Sequence, residues 1–416
     1  MGNQPHGYFD PPDPYIFAPN GWDAAWKAAV ANRWDQRVCI TGIGDSVMSG
    51  FECSDFMATS WWAVLRAALL NKYGQLAGDH YSPLYSAANG TGGQSTATYP
   101  VVVAGVANTD YAIESDFFTC PVYFVSNAQN PLVSVTPPYS VVGFDVFYVD
   151  GYNGSFSWAV DGGGATTVTT SGPGTAAGSK LGVVRITGLT AGTHTLKLRN
   201  TSGAWTGGIV GVTCWAASTG LAFANMGWPG FGLCKSGSGD ANLCLCTTAG
   251  QPPDKRALYQ GYLGTTAAPT ALTGLGFPTQ PDLAIVALGL NDAYNASPPT
   301  RTVFRDNLQY LLQSLRFGKG GACSVMLVAN WGPDGLPASA TQVQNTDFVG
   351  ADRVPVYHDF RAAMAELAQT CCCAYVDVYS ALGANPVTNG WIRGADDTHP
   401  TDAGHAKMAA LIGGLL

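Results

Sequence analysis

Trp22, Trp26 and Val30 recur at every fourth position and predict a helix with one apolar face, since that spacing stacks side chains above one another. The run that follows, Arg37-Val38-Cys39-Ile40-Thr41-Gly42-Ile43, is short and mostly apolar. It predicts a strand that stops at Gly44-Asp45-Ser46. Residues 60–73, SWWAVLRAALLNKY, return to helical spacing through Trp62, Leu65, Leu69 and Leu70. The local unit is therefore strand, sharp turn, helix.

The texture changes at about residue 80. Val142 to Val149 alternates, GGGATTVTTSG reads as a Gly/Thr turn region, and Val183-Val184-Arg185-Ile186 and His194-Thr195-Leu196-Lys197-Leu198 read as strands. Helical periodicity is missing up to about 215, which predicts a β-sandwich or jelly roll. Beyond 215 the α/β alternation resumes. Strands are expected at Leu221–Asn225, Leu283–Leu288, Val325–Ala329 and Tyr375–Val378, and helices at about 302–316, 357–369 and 402–412. The chain thus divides into 1–79 and 216–416, two parts of one α/β domain, and 80–215, an all-β insertion. Residues 1–20, rich in Pro and aromatics, read as an arm packed on the surface. No internal repeat is found.

Composition narrows the function classes. Of 416 residues, 46% are hydrophobic and 12% charged, which describes a globular chain able to bury large cores. A formal charge of −8 and the absence of any Lys/Arg-rich run exclude a nucleic-acid partner. The opening residues have neither the basic nor the apolar region of a secretory leader, and no run reaches the ~20 apolar residues of a membrane span. Among the 11 cysteines, Cys234, Cys244 and Cys246 cluster without a nearby His to complete a zinc set. A disulfide there is left open. Cys371-Cys372-Cys373 precedes apolar Ala374-Tyr375-Val376 and reads as part of a buried strand.

Four segments sit where an α/β sheet places its ligand crevice. Gly44-Asp45-Ser46 puts a hydroxyl at a strand end beside backbone N–H groups that can hold an oxyanion, although an Asp/Ser helix cap has the same look. Asn225 through Gly230 follows an apolar strand; glycine there lets backbone approach a substrate, or simply makes a turn. Gly289-Leu290-Asn291-Asp292 offers an Asn amide as a further donor, or an Asx cap. Asp396-Asp397-Thr398-His399-Pro400 offers an imidazole with a carboxylate three residues away, the pair a Ser hydroxyl needs to become a nucleophile. His405, inside the last predicted helix, is given no role.

Taken together, the four segments resemble the blocks of the GDSL or SGNH hydrolase family, which supply a Ser, a Gly, an Asn and a His. The resemblance covers about residues 36–75 and 216–416 and leaves the β block unexplained. It implies a flavodoxin-like three-layer α/β/α fold and an esterase that requires no metal or cofactor. It makes Ser46 the nucleophile and first oxyanion donor, Gly230 and Asn291 the other donors, His399 the general base and Asp396 its orienter. Gly93, in Asn89-Gly90-Thr91-Gly92-Gly93, is an alternative to Gly230, and Asp397 an alternative to Asp396. Family substrates include acetylated glycans, lipids and small acyl esters. The resemblance therefore points to an O-acyl group on a polysaccharide or cell-envelope glycan, or a lipid ester; aromatic residues of the β block could stack on sugars, although core packing is the more common use of such residues. The alternative from another class is a non-catalytic binding or structural protein such as a phage tail component, in which the hydrolase fold presents the β module.

Overall fold

The computed structural model describes residues 16–51, 53–82, 99–104, 111–113, 122–124, 133–150, 154–170, 180–201, 206–227, 231–234, 244–246, 281–294, 298–317, 323–331, 354–382, 388–392 and 399–416. The chain begins with strand β1 (Ile16–Phe17), helix α1 (Ala24–Ala31), strand β2 (Arg37–Gly44), helix α2 (Trp61–Tyr73) and strand β3 (Leu76–Tyr81). Strands then follow without an intervening helix among the described residues: β4 (Val101–Val103), β5 (Tyr111–Ile113), β6 (Val122–Phe124), β7 (Val133–Val135), β8 (Gly143–Asp150), β9 (Gly154–Val160), β10 (Thr166–Thr170), β11 (Lys180–Ile186), β12 (Leu196–Asn200) and β13 (Thr206–Trp215). The last part contains β14 (Gly220–Gly227), β15 (Gly232–Cys234), β16 (Cys244–Cys246), β17 (Leu283–Ala287), α3 (Leu290–Tyr294), α4 (Arg301–Phe317), β18 (Ser324–Ala329), α5 (Val354–Thr370), β19 (Ala374–Asp377), α6 (Val378–Leu382) and α7 (Asp402–Gly413).

Five strands, in the spatial order β14-β2-β17-β18-β19, are all parallel. Counted in chain order they run 2-1-3-4-5, the flavodoxin-like order, whose ligand crevice lies outside the strands' carboxyl ends. β17 and β18 are buried at every position, as strands covered on both faces must be, which is why they read as unbroken apolar runs. α2 packs on α7 and α4 packs on α5. Trp22, Trp26 and Val30 all enter the main core, as their fourfold spacing predicts. α2 starts where the Ser60 hydroxyl accepts the Ala63 N–H at 3.1 Å, satisfying a donor the helix leaves orphaned.

β3 lies beyond β14, parallel to it, and from there the same sheet runs on into β13, β6 and β5. β13 pairs antiparallel with β3, Thr213 opposite His80 and Trp215 opposite Gly78. β8 and β11 extend it further. A second sheet, β10-β9-β12-β7-β4, packs against this extension. Val133, Val135, Phe144, Val146, Phe156, Leu196, Leu198 and Val212 form the core between them, all at 0% exposure. Tyr81, Tyr99 and Phe56 meet edge to face beside this core, so these aromatics serve packing.

Four sequence expectations change. Thr166–Thr170, read as turn, is strand β10, because its β-branched residues pair along β9 while the turn is confined to the glycines before it. Cys371-Cys372-Cys373 is not strand: α5 ends at Thr370, Cys372 adopts φ 51° and is exposed, and only Cys373 is buried ahead of β19. The arm contributes an edge strand, since Ile16 and Phe17 pair antiparallel with Val376 and Tyr375. His194 and Thr195 precede β12; the His194 ring bridges Asp161 Oδ2 at 2.5 Å and the Thr190 carbonyl at 2.7 Å.

The β3–β13 seam depends on a missing side chain. A β carbon on Gly78 would stand 2.5 Å from the Cys214 carbonyl oxygen and 2.9 Å from the Trp215 ring. Gly78→Ala is expected to lower stability by about 1–3 kcal/mol in urea unfolding. Gly164→Ala, which meets nothing within 4 Å, should stay within about 0.5 kcal/mol of wild type.

Candidate active site

The register of the parallel strands brings three loops to one level. Gly44 at the end of β2 is opposite Gly227, the end of β14, on one side and Ala287, the end of β17, on the other. The segments carrying Ser46, Gly230 and Asn291 therefore leave the sheet from a single row. The row is tight: a β carbon on Gly44 would come within 2.5 Å of Met48 Cβ and 2.7 Å of the Ala287 carbonyl oxygen. One on Gly227 would come within 2.5 Å of the Ser49 nitrogen. Glycine at both places lets the Ser46 turn fold back onto the strand ends.

That turn is held from several sides. The Ser46 carbonyl accepts the Phe51 N–H at 2.9 Å and the Ser49 hydroxyl at 2.8 Å. Trp61 Nε1 donates to the Val47 carbonyl at 2.9 Å. Asn225, at the end of β14, donates from Nδ2 to the Met48 carbonyl and accepts the Gly227 N–H at Oδ1, both at 2.9 Å. Ser46 itself is 6% exposed.

His399 Nε2 lies 2.8 Å from Ser46 Oγ, across 353 residues of sequence. With its proton on Nδ1, the imidazole can take the hydroxyl proton at Nε2, which is the step that turns a serine into a nucleophile. Phe51 packs its ring 4.7 Å from the imidazole centroid, at an interplanar angle of 50°, and limits how the base can turn. Asn291, on α3 just after β17, directs Nδ2 to the Phe231 carbonyl at 3.1 Å. Its neighbour Asp292 accepts the N–H groups of Leu233 at 2.9 Å and Cys234 at 2.6 Å. This pair thus grips the chain directly after Gly230. Gly230, Asp396 and the alternatives Gly93 and Asp397 lie outside the described residues. His405 is fully buried within α7.

Two buried carboxyls frame the site. Burial pushes Asp45 up to about 7, against the opposing pull of the Val47 amide, His399 and the Met48 amide. Its Oδ1 accepts the Val47 N–H at 2.9 Å and faces Asn330 Nδ2, at the end of β18, at 3.4 Å. Burial also pushes Asp292 up to about 6, opposed by the Leu233 and Cys234 amides. Sequence reading passed over the separate work of Asp45, Phe51, Asn225 and Asp292. Asp45 and Asn225 had a local signal, an Asp or Asn two residues before the amide it binds.

Residues 237–407 match the model of the GDSL-like lipase/acylhydrolase family. The chain carries a GDSL-type acylhydrolase domain. By class the acylhydrolase is a carboxylic ester hydrolase, and its matched segment includes Asn291 and His399. Ser46 precedes that segment and joins it through the sheet. Among solved structures, the acylhydrolase resembles a peptidoglycan O-acetylesterase with a TM-score of 0.61 at 14% identity, covering 96% of this chain and 97% of that one. The correspondence is one of fold, and it spans nearly the whole chain. A family two carbohydrate esterase from Cellvibrio japonicus aligns at 15% identity over 76% of this chain and 94% of its own, with a TM-score of 0.29. One from Clostridium thermocellum in complex with cellohexaose aligns at 14% identity over 76% and 97%, with a TM-score of 0.30. Both superpose too loosely to inform the fold. No curated protein sequence matches the chain.

A carboxyl raised on folding favours the protonated native state, so its stabilising contribution is complete below the unfolded value near 4 and is lost as pH rises through about 7. Asp45→Asn, which carries no ionisable proton, should therefore gain stability relative to wild type between pH 4 and pH 7. Paired chemical-denaturation curves should show the difference growing by on the order of 2–4 kcal/mol.

Proposed function

We propose that the acylhydrolase cleaves O-acyl groups from a polysaccharide or cell-envelope glycan through an acyl-enzyme on Ser46. The observation that carries the mechanism is the 2.8 Å contact between His399 Nε2 and Ser46 Oγ at the carboxyl ends of the parallel strands. Ser46 Oγ attacks the ester carbonyl and passes its proton to His399 Nε2. The oxyanion of the tetrahedral intermediate is held by the N–H groups of Ser46 and Gly230 and by Asn291. An Asn amide has two N–H donors; with one on the Phe231 carbonyl, the other is left to point at the oxyanion. Collapse breaks the bond to the alkoxy oxygen, which leaves as the alcohol with the proton from His399. Water, deprotonated by His399, then releases the acid from Ser46. Asp396 keeps the proton on Nδ1 of His399.

Support for the glycan comes from the correspondence with a peptidoglycan O-acetylesterase over nearly the whole of both chains. An alignment of that extent is more than ester hydrolysis alone requires.

A fluorophosphonate should label Ser46 in the native protein, as mapped by mass spectrometry. Ser46→Ala and His399→Ala should each lower kcat/KM for 4-nitrophenyl acetate by roughly 10³-fold or more, and Asp396→Ala by less. Acetate release from O-acetylated peptidoglycan or xylan then separates glycan substrates from small esters. A folded protein that leaves Ser46 unmodified and cleaves none of these esters would refute the reading.

A further inference from the structure

The residues that make the Ser46 turn and those that present His399 are joined a second time, away from the reacting atoms. Asp402, the first residue of α7, lies three residues beyond His399. Its Oδ1 accepts the Ser54 N–H at 2.8 Å and the Thr59 hydroxyl at 2.9 Å, and its Oδ2 accepts the Ser54 hydroxyl. Ser54 and Thr59 belong to the loop that leaves Ser46 and ends at α2. Within it, Thr59 Oγ1 also accepts the Asp55 N–H at 3.0 Å, and the Thr59 N–H reaches the Asp55 carbonyl at 2.7 Å. The loop is thus closed on itself before the carboxylate gathers it.

On the other side, the segment between His399 and α7 has little freedom. Pro400 bridges Ile392, the Thr401 N–H donates to the Trp391 carbonyl at 2.8 Å, and the Thr401 hydroxyl caps the helix through the Gly404 N–H at 3.2 Å. Gly404 packs so closely on Trp391 that a β carbon would stand 2.1 Å from its carbonyl oxygen. A shift of Asp402 therefore carries His399 with it. Partial burial pushes the Asp402 carboxyl up, but the Ser54 and Thr59 donors outweigh it and hold the group below its ordinary value. The ionised form is the one the three donors recognise.

We propose that Asp402 is a positioning residue of the esterase, gathering Ser54 and Thr59 on one carboxylate and so setting where the His399 imidazole meets Ser46. This rests on the reading of Ser46 and His399 as nucleophile and base. It also accounts for Phe51: the loop that Asp402 pulls in is the one that lays this ring against the imidazole. A displacement of about 1 Å between base and nucleophile is enough to cost 10²-fold in rate.

The test is steady-state hydrolysis of 4-nitrophenyl acetate by the full chain. Asp402→Ala should lower kcat by about 10- to 100-fold with KM within about twofold, because the ester does not touch Asp402. Asp402→Asn keeps an acceptor for Ser54 and Thr59 and should recover most of kcat. Combined Ser54→Ala and Thr59→Ala should reproduce the loss and add little to it in the Asp402→Ala background. This double variant leaves the Thr401 cap intact and carries the test if Asp402→Ala does not fold. A folded Asp402→Ala or Ser54→Ala/Thr59→Ala variant with kcat within threefold of wild type, or an Asn variant as impaired as the Ala one, overturns the proposal. Ser46→Ala separates the two readings: if it is inactive while Asp402→Ala is not, only the clamp is wrong; if it keeps full activity, the nucleophile is wrong as well.

Discussion

The row Gly227, Gly44 and Ala287 across three adjacent parallel strands is the constraint on which the site depends. Parallel pairing fixes register through evenly spaced hydrogen bonds, and these strands are covered on both faces, so none can slip without exposing its apolar residues. Three loops from distant parts of the chain are thereby made to start side by side. The absence of a side chain at Gly44 and Gly227 turns adjacency into contact, letting the Ser46 turn settle on the strand ends with Asn225 bracing it from the next strand.

Charge around the site is arranged by the same economy of space. Asp45 and Asp292 are buried carboxyls whose acceptors meet backbone N–H groups, of Val47 in one case and of Leu233 and Cys234 in the other. Each fixes a loop that a mobile surface side chain could not hold. Burial makes the charged form costly, and this shifts both groups towards neutrality. The contact between Ser46 and His399 sits just outside this buried layer, with His399 partly accessible and Ser46 nearly covered.

Much of this was legible in the amino-acid order. The apolar runs of β17, β18 and β19 and the apolar faces of α1 and α2 announced themselves because burial on two faces or one leaves a periodic trace. Ser46 and His399 were legible as candidates, each at the edge of an element, and the fold brings their side chains to 2.8 Å. Asn225, Asp292 and Asp402 were not, because their work depends on partners 177, 59 and 348 positions away, and only folding supplies those. The triple cysteine misled because apolarity was read as strand, whereas a residue at φ 51° ends a helix and opens a turn.

The seam between β3 and β13 has a consequence for how such a chain can vary. The polypeptide leaves the parallel sheet along one strand and comes back along its immediate neighbour, Tyr81 facing Val212. Departure and return are thus one strand spacing apart, whatever lies between them. Loop-closure entropy grows only slowly with length, by about 0.6 kcal/mol for each doubling, so an excursion of more than a hundred residues burdens the parent sheet hardly more than a short one. A change in the length of that excursion would leave β3 and β13 paired and the ends of the parallel strands level.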